Sequence, residues 1–366
     1  MKLRVNRQEL AEAMGIVASV AVTRSTPKPI LQCVLIRARA DHLELEATDQ
    51  EIGLRHLVTQ VEVEQTGEVL VPADRFGPVV REATDETLVL EAEGAIYHIR
   101  GADCHFQICS QETGDFPAVG TGTGKPDFEI EAEVLQRLCE RTVFAAAREN
   151  SRYAINGVLW EQSRETLQLV ATDGRRLAKA TGALAAAVEG ESSAIVPVKT
   201  MHVFQRILGE GTEKIGIQIA GNQIILYSPR VTVSSALVEG HFPKYQDVIP
   251  GDCNKRAELK VAELLGAVRQ AALLTNDESR GVRFSMSEGQ MSLTSRAPQE
   301  GEAEITKAIR YTGEPIEIGF NPNFVTDVLR VVHEDEVTIE FKEPNRPGLL
   351  RAGDDYLYVI MPVNLS

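Results

Sequence analysis

Four short landmarks recur along the chain in the same order, each about 120 to 130 residues after its last occurrence. This recurrence limits the possible folds more than any other feature, because a repeated sequence implies a repeated supersecondary unit. The first landmark is a short apolar-alternating run that feeds a helical pattern, at Leu3 to Leu10, Phe128 to Leu135 and Glu258 to Leu264. The second is Ala47-Thr-Asp49, matched by Ala171-Thr-Asp173. The third is Val71-Pro72 before a helical stretch, matched by Val196-Pro197 and more loosely by Asn321-Pro322. The fourth is Asp115-Phe-Pro117, matched by His241-Phe-Pro243. Three copies follow, at 1–124, 125–254 and 255–366, with the glycine-rich run Gly120 to Pro126 and the stretch Pro250 to Arg256 as their boundaries.

Within each copy two periods alternate. Leu43 to Ala47, Val61 to Glu64 and Thr87 to Glu91 switch apolar and polar at every residue, which predicts half-exposed antiparallel strands. In the first copy, helical patterns cover about Arg7 to Val20 and Ala73 to Glu82. Leu10, Met14, Val17 and Ala21 share one helix face. Asn6 and Glu9 predict a capping box, and Gly77-Pro78 predicts a kinked or shortened second helix. Each copy thus reads as two helices on one side of a strand-rich layer, an α+β unit.

The chain has 366 residues, 43% of them hydrophobic, so each copy can bury a core. No apolar run is long enough to span a membrane and no signal-peptide pattern is visible, which predicts a soluble cytoplasmic protein. The five cysteines (Cys33, Cys104, Cys109, Cys139 and Cys253) are odd in number and widely spaced, as expected of reduced core thiols. Cys104 and Cys109 have no companions to complete a zinc set, so no metal is expected. The formal net charge of −15 excludes a surface coated in nucleic-acid contacts, although a local basic face remains compatible with it.

Catalytic patterns are not found. The Gly120 to Pro126 run lacks the first glycine of a phosphate loop, and Pro126 stands where Ser or Thr is needed. No nucleophile elbow or paired-histidine zinc motif occurs, and Glu334-Asp-Glu336 reads as a solvated turn. The basic residues are more telling. Arg137, Arg141 and Arg148 fall within about 40° on one helical projection, and Lys199 and Arg206 share a face of another. These are either ordinary solvated faces or a surface for phosphates. Arg75, Arg81, Arg269 and Arg330 in the flanking copies form no strict stripe. Aromatic side chains are not interleaved with them, so bound nucleic acid would be held by its backbone.

The stretch Val170 to Ala178 is the most distinctive. With Asn156-Gly157, His241 to Tyr245 and Tyr358 to Pro362, it resembles the bacterial DNA polymerase III beta subunits, the sliding clamps, over the entire chain. The resemblance implies three tandem two-helix, antiparallel-sheet clamp domains and a head-to-tail homodimer that closes a six-domain ring around duplex DNA. Only the helix-lined hole then needs to be basic. It also implies no catalysis, no cofactor and no membrane. The implied partners are double-stranded DNA of any sequence, the replicative polymerase catalytic subunit, a clamp-loader ATPase and other replication and repair proteins.

By the same resemblance, Phe106 and Ile108 of one subunit meet Leu273 and Leu274 of the other. A client-peptide pocket uses Arg152, Thr172, Gly174, Arg175, Arg176, Leu177, Pro243, Val248, Phe324, Val359, Met361 and Pro362. The residues read alone also allow Asp173-Gly174 to be merely a tight turn. DNA contacts fall to Arg24, Arg75, Arg137, Arg141, Arg148, Glu149, Arg152, Tyr153 and Lys199. Asp74, Glu149 and Ala154 depart from the family pattern, as does the ending Val363 to Ser366, so individual contacts are expected to be rearranged. A β-rich protein-binding scaffold that does not encircle DNA is the alternative, and an enzyme built from distant residues is a third reading.

Overall fold

The computed structural model describes residues 1–22, 27–120, 122, 124–148, 153–208, 213–275, 281–297 and 301–364. The helices among them are α1 (Arg7–Val17), α2 (Ala73–Glu82), α3 (Ala132–Thr142), α4 (Val198–Ile207), α5 (Val261–Ala272) and α6 (Pro322–Leu329). No helix among the described residues is long and apolar enough to cross a membrane. The chain forms two compact units that divide the middle copy between them. The first comprises Met1–Glu133, Leu184–Val188 and Lys199–Leu237, and the second Val134–Ala183, Glu189–Val198 and Val238–Ser366.

Three of the landmarks build recognisable local structures. The strands Lys2–Asn6, Phe128–Glu131 and Lys255–Lys260 run directly into α1, α3 and α5. Pro72 caps α2, and Asn321 caps α6 by accepting the Asn323 amide. The sites Ala47-Thr-Asp49 and Ala171-Thr-Asp173 form the same turn. Thr48 Oγ1 donates to the Ile52 carbonyl at 2.8 Å and accepts the Gln50 amide, while Asp49 Oδ1 accepts the amides of Glu51 and Ile52. Thr172 Oγ1 donates to the Arg176 carbonyl at 2.6 Å and accepts the Gly174 amide, while Asp173 Oδ1 accepts those of Arg175 and Arg176. The third turn residue has φ 80° at Gln50 and 84° at Gly174, a conformation that suits glycine far better than glutamine.

The first unit contains a five-stranded and an eight-stranded sheet, and the second a nine-stranded and a four-stranded sheet. In the eight-stranded sheet the last strand of the middle copy, Val231–Ala236, joins Ile52–Val58 of the first, pairing Val231 with His56 and Ser235 with Ile52. In the nine-stranded sheet the last strand of the third copy, Tyr356–Ile360, joins Arg176–Ala183 of the middle one. There Tyr356 pairs with Ala180 and Ile360 with Arg176. Ile52 and Arg176 each lie four residues after the turn threonine, so the two joints share one register.

Helix α1 buries Leu10, Met14 and Val17 and packs on α2, which buries Phe76 and Val80. Each fully buried side chain of this kind contributes about 1.5–3 kcal/mol. Several sequence expectations are corrected here. Helix α1 ends at Val17 rather than near Val20. Helix α2 is not shortened at Pro78, which donates no hydrogen bond to the Asp74 carbonyl, and it runs on to Glu82. Only half of the capping box forms. Asn6 Oδ1 accepts the Glu9 amide at 3.0 Å, but the Glu9 carboxylate turns away to accept the Thr59 and Gln60 amides and to meet Arg230. Burial alone would raise the Glu9 acid; these donors outweigh it and hold it below the ordinary carboxylate range. Asn6→Ala is expected to lower the unfolding free energy by about 1 kcal/mol, the usual worth of an N-cap, in urea titrations.

The strand Leu43–Thr48 is buried on both faces rather than half-exposed. Arg37 and Arg55 from the flanking strands hold Glu46, and Arg39 holds Glu44. Of the five free thiols, Cys33 and Cys139 lie in the core, but Cys109 is exposed at the end of an edge strand. Glu334 is no solvated turn residue: it accepts from Arg141 at 2.6 Å.

Candidate functional site

The Thr172 turn of the second unit is fixed from below by one arginine. Arg176 Nε donates to Asp173 at 3.0 Å, Nη1 to Asp327 of α6 at 2.7 Å and Nη2 to the Phe144 carbonyl at 2.7 Å. Its guanidinium lies 4.6 Å from the centre of the Phe324 ring and 5.4 Å from that of Phe144. These three donations and two ring contacts make Arg176 a strut beneath the turn. Thr172 is buried, whereas Gly174 and Arg175 are exposed at the turn's tip.

Beyond the turn, Leu177 pairs with Val359 across the sheet, and each is only 2% exposed. They share an apolar cluster with Leu159, Val170, Ile195, Tyr245 and Leu349. The Met361 amide donates to the Arg175 carbonyl at 2.9 Å, which carries the chain past the turn. Met361 remains 40% exposed and Val248 48% exposed, while Pro243, Phe324 and Pro362 are half-buried. Tyr245 and Val248 are the first and last residues of a single 3-10 turn, Tyr245 buried and Val248 exposed. The Tyr245 hydroxyl donates to Glu161 at 2.7 Å and accepts from Gln168 at 2.6 Å. Burial first, and then Glu161, push its pKa up to about 12, so it stays a neutral donor. The result is an apolar surface with exposed turn backbone beside it, the chemistry that receives a short extended peptide. Sequence reasoning missed Tyr245, Leu349, Phe144 and Asp327. Tyr245 lies within a motif that was noticed, whereas Phe144 and Asp327 carry no local signal.

The basic residues are only partly as expected. Arg141 is buried, with a side chain 3% exposed. It bridges Glu334 at 2.6 Å and Asp355 at 3.2 Å and stacks 5.1 Å over the Tyr356 ring. It cannot reach a phosphate. Helix α3 ends at Thr142, so Arg148 lies outside the helical projection that placed it in a stripe; it is exposed, and Arg137 is half-buried. In the first unit, Arg75 is exposed near Asp74, and Lys199 on α4 pairs with Asp49 of the Thr48 turn. Tyr153 is 47% exposed. Arg24, Glu149 and Arg152 lie outside the described residues.

Exposed large apolar side chains usually mark contact surfaces. Those of the described residues are Ile96, Phe106, Tyr153, Val248, Leu273 and Met361. All but Ile96 belong to the pocket, subunit-contact or DNA sets named from sequence. Phe106 sits with buried Ile108 on the edge strand His105–Cys109, and Leu273, at 79% exposure, caps α5. Leu274 lies beside Gly301, where an added Cβ would come 3.5 Å from it.

Comparison with known proteins gives a consistent picture. Residues 1–120, 129–244 and 246–364 match the N-terminal, central and C-terminal domain models of the DNA polymerase III beta subunit. A beta sliding clamp of Chlamydia muridarum is 32% identical over 366 residues, covering 100% of this chain and 99% of that protein. The beta sliding clamp of Escherichia coli is 31% identical over 368 residues and is covered in full. The crystal structure of the DNA polymerase III subunit beta from Pseudomonas aeruginosa superimposes with a TM-score of 0.92 at 31% identity, with both chains covered completely.

Proposed function

Because the chain belongs to the family of DNA polymerase III beta subunits, the beta sliding clamps, we propose that it closes as a head-to-tail dimer into a ring around duplex DNA and tethers the replicative polymerase there. The observation that carries this reading is the pair of joints inside the chain. In both, the last strand of one copy pairs with the strand after the turn in the preceding copy, in one register. The remaining strands of these two kinds are His105–Cys109 and Gly301–Ala308, and each ends its sheet as an edge. Unpaired edges invite strand addition. Joining one edge to the other between two copies gives a contact that closes under a two-fold rotation.

Such a clamp is an accessory subunit, not a catalyst, and acts where bacterial DNA is replicated, in the cytoplasm. Its division into domains at 1–124, 125–254 and 255–366 follows the repeats. Arg75, Arg137, Arg148, Tyr153 and Lys199 are the described candidates for holding DNA by its phosphates, independent of sequence. The surface around Leu177, Val248, Val359 and Met361 receives apolar segments of the polymerase and of other replication and repair proteins. A loader ATPase opens the ring.

Retention on DNA tests the ring. Loaded protein is expected to stay on nicked circular DNA through gel filtration and to run off once the circle is cut; equal retention on both forms would overturn encirclement. The joint has its own test. Leu273→Asp places a charge at a site with little structural burden, and it is expected to weaken dimerisation by about 2 kcal/mol or more. Sedimentation equilibrium at micromolar concentration reads this as a shift from two copies toward one.

A further inference from the structure

We propose that the histidine pair His98–His105 makes the subunit joint proton-sensitive by meeting Glu304 of a second copy, so that two copies hold together more tightly as pH falls. This rests on the ring reading above and adds the residues and the regulation of its joint.

The repeats supply the register. In the third copy Val282 pairs with Phe320, the residue before the α6 cap, as Val34 pairs with Val71 before the α2 cap. Counting on from there, Arg296 opposite Glu302 corresponds to Thr48 opposite Gly53 and to Thr172 opposite Leu177. At the two joints in the chain, Gly53 meets Ser234 and Leu177 meets Val359. Ser234 lies opposite Ile225, four residues after the hairpin glycine Gly221; the matching residue after Gly94 is His98, which lies opposite Gln107. The missing joint therefore sets Gln107 against Glu302, Phe106 against Ala303 and His105 against Glu304. This register keeps faces together: Phe106 shares a face with buried Ile108 and Ala303 with half-buried Ile305, while His105, Gln107, Glu302 and Glu304 alternate to the other face and are exposed. A one-residue slip would turn every side chain to the wrong face.

His98 Nδ1 lies 3.0 Å from His105 Nε2, with the rings stacked 5.2 Å apart. One nitrogen must donate and the other accept, so the two rings share one proton between them. Glu93 stands 3.7 Å from the other ring nitrogen of His98. Glu91 and Arg100, opposite His98 and His105, are paired with each other. Asp103 and Cys104 precede His105 on its own strand. Helix α2 meets the opposite face of this sheet through Phe76 against Tyr97, and its Asp74, Arg75, Arg81 and Glu82 are exposed. On the facing strand, Glu302 is held by Arg296 at 2.8 Å. Glu304 accepts from the Ser292 hydroxyl at 3.3 Å and pairs with no cation among the described residues.

Bringing Glu304 against the imidazole pair raises the pair's affinity for a proton, so closing the joint takes one up from solvent. By linkage the stabilisation is present on the acid side and is lost as pH rises through the imidazole range, about pH 5 to 8. An exposed charge pair changes the closing equilibrium about two- to five-fold. The two joints of a ring together give about four- to twenty-five-fold.

The test is the dimer dissociation constant of the full chain between pH 6 and 8 at constant ionic strength, by sedimentation equilibrium. The expected result is a dissociation constant that falls as pH falls, with a flat profile for His105→Gln and for Glu304→Gln. A stable dimer with a flat wild-type profile overturns the proposal and leaves the ring intact. Either variant keeping the wild-type slope overturns it too, and the persistence of the slope in Glu304→Gln rejects the register. A monomer at every pH rejects the ring reading itself.

Discussion

Met361→Ala is expected to weaken binding of a short peptide with Leu or Phe anchors by about 1–3 kcal/mol, the usual cost of truncating a buried anchor. The unfolding midpoint should barely move, because Met361 is 40% exposed in the unliganded chain and its backbone, not its side chain, holds the Arg175 carbonyl. Leu177→Ala gives a contrasting result. At 2% exposure Leu177 belongs to the core, so its truncation should cost about 2–5 kcal/mol of stability as well as affinity. Fluorescence anisotropy with a labelled peptide, run beside urea titrations, separates the two. Unchanged affinity in both variants would move the docking surface away from this turn.

Arg141→Ala is expected to cost about 3 kcal/mol of stability, the low end for breaking a buried ion pair, because the Glu334 and Asp355 side chains keep 32% and 42% exposure. The variant leaves two carboxylates without their cation and Tyr356 without its stacked guanidinium. Burial pushes the Glu334 acid up, but the Arg141 bond outweighs it and holds the acid below the ordinary carboxylate range. A depressed carboxylate contributes stability above its unfolded value and loses it as pH falls through the folded one. The deficit of the variant should therefore be full at pH 7 and shrink below about pH 4. The one tryptophan, Trp160, is buried in the same compact unit, so its fluorescence follows the transition directly. DNA retention should be unchanged wherever the variant remains folded, unlike that of a residue that grips phosphate.

The repeats were legible because their landmarks are local. In both copies the threonine accepts the amide two residues on and the aspartate the amide three residues on, so Thr48-Asp49 and Thr172-Asp173 form the same turn from neighbours in sequence. The range of α2 was readable for the same reason. What could not be read depends on distant partners. Nothing near Arg141 reveals that carboxylates 193 and 214 residues away will bury it. The alternation in Leu43 to Thr48 is that of a half-exposed strand until arginines on both neighbouring strands close over its glutamates. At the candidate pocket, the turn and the C-terminal strand were visible from sequence, while the strut formed by Arg176, Asp327 and Phe144 needed the fold.

The two joints built into each chain differ from the proposed third in one respect that no contact records, which is tethering. When Val231–Ala236 parts from Ile52–Val58, the chain keeps the strands at an effective concentration of order millimolar and they find each other again. A joint between copies has that advantage only while its twin in the ring stays shut. With equivalent strands in equivalent register, the joint without a covalent tether is the place where such a ring yields. In the proposed ring the seam that no covalent bond crosses is the one that opens, and dilution would separate the chains long before it loosened the sheets within them.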